Sequence, residues 1–508
     1  MSSTFRPDRC LLVIFGASGD LTRRKLIPAV YDLYCGNQLP DNFAILGVSR
    51  SEMSDDQYHE KLLKFAKSSA AQFDPESWSR FTQRVHYLAA DSTCLEHYGL
   101  IKERIACLAQ DYDTDQNVLF YLSLAPHLYE RTVQAIDAAD LVIEGRRSCS
   151  LDRVNPPWQR IIIEKPFGTD PKSAIHLNHV LANVFDEQSI YRIDHYLGKE
   201  TVQNLMVVRF ANTIFEPIWN RNFIDHVQVT AAESVGVEQR GNYYDSPGGG
   251  AMRDMIQSHL LEVMAVVAME PPVTMRAEDV RPEKSKILAA TRTPKPIEIG
   301  QLAVRGQYGP GQIAGAALPG YRDEPGVDPE SQTDSYAAMQ VFIDTWRWEG
   351  VPFYVRTGKR MARKLTELVV TFKRTPHCLF AQTARSLKPN QIVINIQPDE
   401  AITLRFEGKV PGSSMKIKDV VMAFDYVEQF KTKPPEAYST LILDAMEGDQ
   451  TLFKHREEIE HCWRIVQPVL DDWQQNPQDD LPNYAAGTWG PSAADIMMAR
   501  NHRNWHNP

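Results

Sequence analysis

No stretch of the sequence approaches the ~20 apolar residues that a membrane-crossing helix requires. The first apolar run, Leu11–Phe15, is too short for the core of a secretion signal. Cysteine is sparse and unpatterned: Cys10, Cys35, Cys94, Cys107, Cys149, Cys378 and Cys462 form no CxxC pair. Such a set fits small buried hydrophobes in a reducing compartment, not a disulfide framework. No Cys/His/Asp cluster has the spacing of a metal site. An excess of basic charge is also missing. The formal net charge of −10 disfavours non-specific nucleic-acid binding but leaves room for a local basic pocket. Internal repeats and low-complexity tracts are absent. What remains is 508 residues of ordinary globular composition, 43% hydrophobic and 24% charged. That is long enough for two large domains and points to a cytoplasmic protein of enzyme size.

Two patterns divide the chain. From residue 10 to 170, β-like runs (CLLVIFG, NFAILGVSR, VHYLAAD, NVLFYLSLA, RIIIEKPFG) alternate with helical periodicity, as in LTRRKLIPAVYDLY and residues 56–70. Strands separated by helices predict βαβ units in a parallel, doubly wound sheet. Later, HVQVTAAES, SYAAMQVFID, VPFYVRTG, ELVVTFKR, QIVINIQP, EAITLRFEG and VVMAFDY follow one another with short polar turns. Several lack room for a crossover helix, so this half is a mainly antiparallel sheet, covered on one face by helices over 251–269 and 456–469. The domains expected are 1–190, α/β, and 191–508, α+β. Gly and Pro make 305–332 a loop, and the polar last fifteen residues are expected to fray.

The first strand runs into a helix through Gly16-Ala17-Ser18-Gly19-Asp20-Leu21. Glycines there allow a tight turn and let backbone amides approach a pyrophosphate, which the positive end of the helix stabilises. The spacing is GxxG rather than GxGxxG, so its placement between strand and helix carries the reading. A nicotinamide dinucleotide is the cofactor implied. A site for NAD would place an acid at the end of the second strand. Here stands Arg50, whose planar donors suit the 2′-phosphate of NADP, although Glu52 nearby leaves secondary use of NAD open. Asp91, closing VHYLAAD, is taken as a further cofactor contact. Lys165, in EKPFG, sits at a strand's carboxyl end, where such sheets bind ligands. The segment alone fits a surface lysine equally well.

Two later segments add polar groups. In RIDHYLGKE, a helix beginning at Asp194 would put His195 and Lys199 on one face, beside the Tyr196 hydroxyl, as a phosphate-binding set. In GGGAMRDMIQSH, Asp254 and His259 open a largely apolar helix. They stand about 140° apart around a regular helix, so they need not touch, and a lone His there is more often a core residue.

These segments, with GASGDLTRRKL, WRWEGVPFYVRTGK, INIQP, AYSTLILDAMEGDQTLF and YAAGTWGP, are identified as those of the glucose-6-phosphate dehydrogenase family. They lie in family order over almost the whole chain. The resemblance implies a Rossmann-like first domain, a larger second domain on a mainly antiparallel sheet, and a dimer or tetramer formed through that sheet. It implies oxidation of glucose 6-phosphate at C1, with no metal. His259 would be the general base, oriented by Asp194. His195, Tyr196 and Lys199 would hold the phosphate, approached also by Lys364. Lys165 would bridge sugar and nicotinamide, Glu233 and Asp254 would bond sugar hydroxyls, and Lys25, Lys359 and Gln397 would be outer contacts. Ser258 and Thr345 stand where the family usually has Asn. Leu365 and Asn395 stand where a second, structural NADP site would have basic residues, so that site is expected to be absent or weak. Two alternatives stay open: an oxidoreductase for another sugar, and a non-catalytic dinucleotide-binding scaffold.

Overall fold

The structure, a computed structural model, describes residues 6–70, 73–143, 157–380, 387–431 and 436–508. Cys149 lies outside them. The other six cysteines form no disulfide, and among the described residues no helix is long and apolar enough to cross a membrane.

Six short strands build the first sheet: β1 Cys10–Phe15, β2 Phe43–Ser49, β3 Val85–Ala89, β4 Val118–Leu122, β5 Gln159–Ile163 and β6 Ile190–Arg192. All pair in parallel, in the order β3-β2-β1-β4-β5-β6. That is the doubly wound dinucleotide-binding order, with its switch point between β1 and β4. Both strands are buried throughout, as a sheet covered by helices on both faces requires. The helices at Asp55–Ser69, Pro75–Thr82 and Pro171–Ala182 each begin on a side-chain cap, from Ser54, Asp74 and Asp170. Ser54, for example, accepts from the Gln57 backbone N–H and Gln57 accepts from that of Ser54, starting the helix Asp55–Ser69 one residue ahead of its periodicity.

The second sheet has eight strands, β7 Ile224–Ala232, β8 Ala303–Gly306, β12 Tyr336–Val341, β13 Phe353–Gly358, β14 Leu365–Phe372, β15 Gln391–Gln397, β16 Ala401–Lys409 and β17 Ile417–Asp425. Every pair is antiparallel except β13 with β7. The fold is thus α/β followed by α+β. β6, which closes the first sheet, spans the residue 190/191 boundary expected between the two.

Three expectations need correction. The stretch 305–332 is structured: it contains the end of β8, the short strands β9 Tyr308–Gly309, β10 Gly311–Ile313 and β11 Ala316–Leu318, and buried Tyr308 and Tyr321. Gly and Pro there serve tight turns between these pieces. The helix from Arg456 continues to Gln475, because Leu470 and Trp473 keep its buried stripe going past Pro468. The C-terminus does not fray: a helix at Ser492–Ala499 precedes Trp505, which is buried and donates to Ala494 O at 3.0 Å.

Candidate active site

The carboxyl ends of the first sheet's strands open on one crevice. At β1, Gly16 has φ +84°, and a Cβ there would meet Ser123 O, just beyond β4, at 2.0 Å. Only glycine lets the two strand ends approach this closely. Ala17 is buried behind it, Ser18 Oγ meets Ser49 Oγ at 2.6 Å, and Gly19 donates to Gly16 O at 2.8 Å. Asp20 and Leu21 enter the helix, where Asp20 pairs with Arg24 at 2.7 Å. Arg50 follows β2 and is exposed. Asp91 follows β3, and its Oδ1 accepts from Thr93 N (2.9 Å) and Oγ1 (2.8 Å), which with Arg50 nearby holds its carboxyl below the usual range. A close-packed glycine turn at a helix start, at the switch point of the sheet, and a cation beyond the second strand together fit a dinucleotide.

Lys165 follows β5, joined to Pro166 by a cis peptide, and Asp194 follows β6. No helix begins at Asp194. Residues 195–198 form turns, and Lys199 is the residue preceding the helix Glu200–Phe210. Asp194 Oδ1 accepts from Tyr196 N at 2.9 Å and Ile193 N donates to Ile163 O at 3.0 Å, so the aspartate is clamped to the strand ends instead.

His259 reaches this crevice from the second domain. Its segment, Met252–Leu260, is wound as a π-helix, continuing as an α-helix to Ala268. In a π-turn residue i bonds i+5, so Asp254 and His259 share a face and the 140° separation of a regular helix does not hold. His259 is fully buried and its Nδ1 lies 2.7 Å from Asp194 Oδ1. Its Nε2 is buried with no hydrogen-bond partner among the described residues. The Tyr196 ring stacks on the imidazole at 4.6 Å and His195 meets it edge-on at 4.7 Å. Burial pulls the His259 pKa below its ordinary value, helped by Lys165 and Lys454 and opposed by Asp194.

Lys165 Nζ lies 2.9 Å from Asp254 Oδ1. Burial would raise the Asp254 pKa, but Lys165 and Lys359 overcome it and hold the carboxyl at about 2. Lys359 in turn sits 2.5 Å from Glu233 Oε2. Lys199 is partly buried, and burial lowers its pKa. Lys25 and Lys364 add to that lowering, so three ammonium groups act on one locality, balanced by Glu400 and Glu436. Lys25 pairs with Glu436, and Gln397 donates to Thr366 Oγ1 at 2.8 Å. Asp194, His195 and His259 bring one donor atom each within 4.8 Å. The Lys454 ammonium, 3.3 Å from Asp194 Oδ2, already supplies the cation that this carboxylate needs. Lys454 is the site group that sequence reasoning missed. It follows the family-like segment ending in TLF but lies 260 positions from its partner, and no local spacing marks it.

Comparison with known proteins places the whole chain in one family. Sequence models described as the NAD binding domain and the C-terminal domain of glucose-6-phosphate dehydrogenase match residues 13–204 and 206–506. The chain belongs to the glucose-6-phosphate dehydrogenase family. It is therefore an oxidoreductase of carbohydrate metabolism. The glucose-6-phosphate 1-dehydrogenase of Aggregatibacter actinomycetemcomitans is 45% identical over 99% of this chain and 98% of its own, and that of Chlamydia pneumoniae is 41% identical over 98% and 96%. A solved glucose-6-phosphate dehydrogenase in complex with its substrate glucose 6-phosphate superposes with TM-score 0.87 at 33% identity, covering both chains fully. Of the two departures, Ser258 bonds Arg253 O at 2.9 Å within the π-helix, while Thr345 Oγ1 is buried without a hydrogen-bond partner among the described residues.

Proposed function

We propose that the chain oxidises C1 of D-glucose 6-phosphate to 6-phospho-D-glucono-1,5-lactone with NADP, the first step of the oxidative pentose phosphate pathway. The observation that carries this is His259 Nε2: a buried, unpartnered nitrogen at the carboxyl ends of a dinucleotide-binding sheet, its other nitrogen held by a carboxylate. Gly16, Ala17, Ser18, Gly19, Asp20 and Leu21 would hold the pyrophosphate, Arg50 the 2′-phosphate, and Asp91 and Lys165 further parts of the dinucleotide. When bound, the nicotinamide supplies the hydride acceptor.

The chain's own residues then have the proton to handle. His259 Nε2 takes it from the C1 hydroxyl, which requires the neutral imidazole. Asp194 keeps the other proton on Nδ1 and stabilises the imidazolium that forms. His195, Tyr196, Lys199 and Lys364 anchor the remote phosphate, converting binding energy into alignment at C1. Lys165, Glu233 and Asp254 orient the sugar, with Lys25, Lys359 and Gln397 around them. Labour divides along the chain, 1–190 holding the dinucleotide and 191–508 carrying substrate groups and oligomer contacts, with β6 joining the two. Exposed Val420, Val421 and Met422 on the outermost strand β17 fit burial between copies in a homodimer or homotetramer. A cytoplasmic location completes the reading.

His259→Asn tests it. As general base, His259 should be needed for turnover and not for binding. We expect turnover to fall by ~10²–10⁴ while substrate dissociation constants move little. A stable variant with normal turnover would sink the mechanism. Initial rates at 340 nm with glucose 6-phosphate, galactose 6-phosphate and glucose, each with NADP and NAD, test substrate and cofactor together.

A further inference from the structure

Lys454 is buried, and a buried ammonium costs free energy unless it is paired. It precedes the helix Arg456–Gln475. Its backbone N–H donates to Arg192 O at 3.1 Å, tying it to the end of β6, two residues before Asp194. Its Nζ has three partners: Asp194 Oδ2 at 3.3 Å, Glu262 Oε1 at 4.0 Å, and the Ser258 carbonyl, to which it donates. Ser258 immediately precedes His259. The ammonium thus touches both the partner of the base and the backbone that carries the base.

We propose that Lys454 is a positioning residue for the reaction: seated on the second oxygen of Asp194, its ammonium shares that carboxylate with His259 and so keeps the imidazole neutral down to lower pH. The inference rests on His259 being the base. An Asp194 committed to His259 alone would favour the imidazolium strongly at so short a distance in a dry site. A second cation on the same carboxylate weakens that preference and repels a charged imidazole. Lys454 stays charged: burial favours its neutral amine, but Asp194 and Glu262 outweigh burial and raise its pKa. Other groups face His259 from each neighbouring element. Asp194, His195 and Tyr196 come from the segment after β6, Lys165 from the end of β5, and Asp254 from its own helix. Of these, Lys165 also repels an imidazolium, but Asp254 pairs with it at 2.9 Å. Glu262 stands beyond Lys454 and itself pairs with Lys284 at 3.4 Å. Lys454 is therefore the cation fixed directly on the dyad.

The pH dependence of kcat/KM, measured on the intact enzyme with glucose 6-phosphate and NADP, reads this out. In Lys454→Met the acid limb should move to higher pH by about one unit, with the plateau at alkaline pH changed far less. Lys454→Gln should move it the same way, and Lys454→Arg, which keeps the charge, should leave it near the wild-type position. Removal of a buried charge can lower the folded fraction, but a limb midpoint does not depend on how much active enzyme is present. A limb that stays in place in both neutral variants overturns the proposal. The His259→Asn control separates the two readings: if that variant turns over normally, the base assignment fails first. If it is inactive while the limb is unmoved in Lys454→Met, only the role of Lys454 falls.

Discussion

Burial, before any neighbouring charge, sets the behaviour of His259. It pushes the imidazole below its ordinary pKa of about 6.5, so the neutral base persists to lower pH than a free histidine would. The acid limb of kcat/KM should therefore lie below pH ~6.5, which a rate profile checks directly. The residues around it divide by what they touch. Arg50 stands exposed past β2, so Arg50→Ala should raise the Michaelis constant for NADP ten- to more than a hundred-fold, the worth of one charge-assisted contact. The constant for NAD should barely move, and equal effects would remove Arg50 from the 2′-phosphate. Lys199 is the most desolvated of the three converging lysines. Lys199→Ala should weaken glucose 6-phosphate binding about tenfold or more and leave slow oxidation of free glucose nearly unchanged. At this scale the sequence was legible wherever chemistry clusters locally, as in GASGDL, RIDHYLGKE and RDMIQSH. Lys454 escaped because an ion pair across 260 residues leaves no local pattern.

Elements were legible in proportion to their periodicity. The strands of both sheets announce themselves by short apolar runs between turns, and β1 to β5, β7 and β12 to β17 all fall where those runs lie. The π-helix did not announce itself. Over the nine residues Met252–Leu260, polar and apolar side chains are mixed over too short a span to tell an i to i+5 pitch from a regular helix, and only the packing of Asp254 and His259 toward one crevice reveals it. What starts that helix is a glycine and an acid. Gly250 has φ +98°, and a Cβ there would meet the buried Asp334 carboxylate at 2.4 Å. Asp334 accepts from the Met252 N–H at 2.6 Å, although burial lifts its carboxyl to about 6. Gly250→Ala should thus carry about 1–3 kcal/mol of backbone strain and displace the segment bearing His259. Melting temperature and turnover should fall together; a variant with unchanged values would show that this turn is not what sets the helix.

The two domains meet at the ends of β5 and β6, and the site exists only because His259 from one is brought to Asp194 beside the other. Sheet class could be read from strand spacing, but not the neighbours of β7. It lies centrally between β13 and β14, more than a hundred residues later in the chain. Nor could the fate of the C-terminal tail be read, because polar composition resembles a frayed end until its partners are known. Those partners are buried polar and charged side chains of the central strands. Arg356 on β13 is fully buried, its guanidinium 4.3 Å from the Trp505 ring centroid, and it donates to His506 O at 2.9 Å and Asn507 Oδ1 at 2.8 Å. Glu367 on β14 is 1% exposed and faces His506 Nδ1 at 2.8 Å. Gln228 on β7 donates to Asn504 O and accepts from His506 N. Deleting residues 504–508 would strand a guanidinium and a carboxylate that water reaches poorly. Leaving a buried charged group without its hydrogen-bond partner costs on the order of 1–3 kcal/mol or more, so the truncated chain should melt at clearly lower temperature. None of these contacts involves the crevice, so the fraction that remains folded should bind glucose 6-phosphate and turn over at near the full-length rate. Thermal melts and active-site-normalised rates on the same preparation check both halves. A truncated enzyme of undiminished stability would mean that the tail merely rests on the sheet.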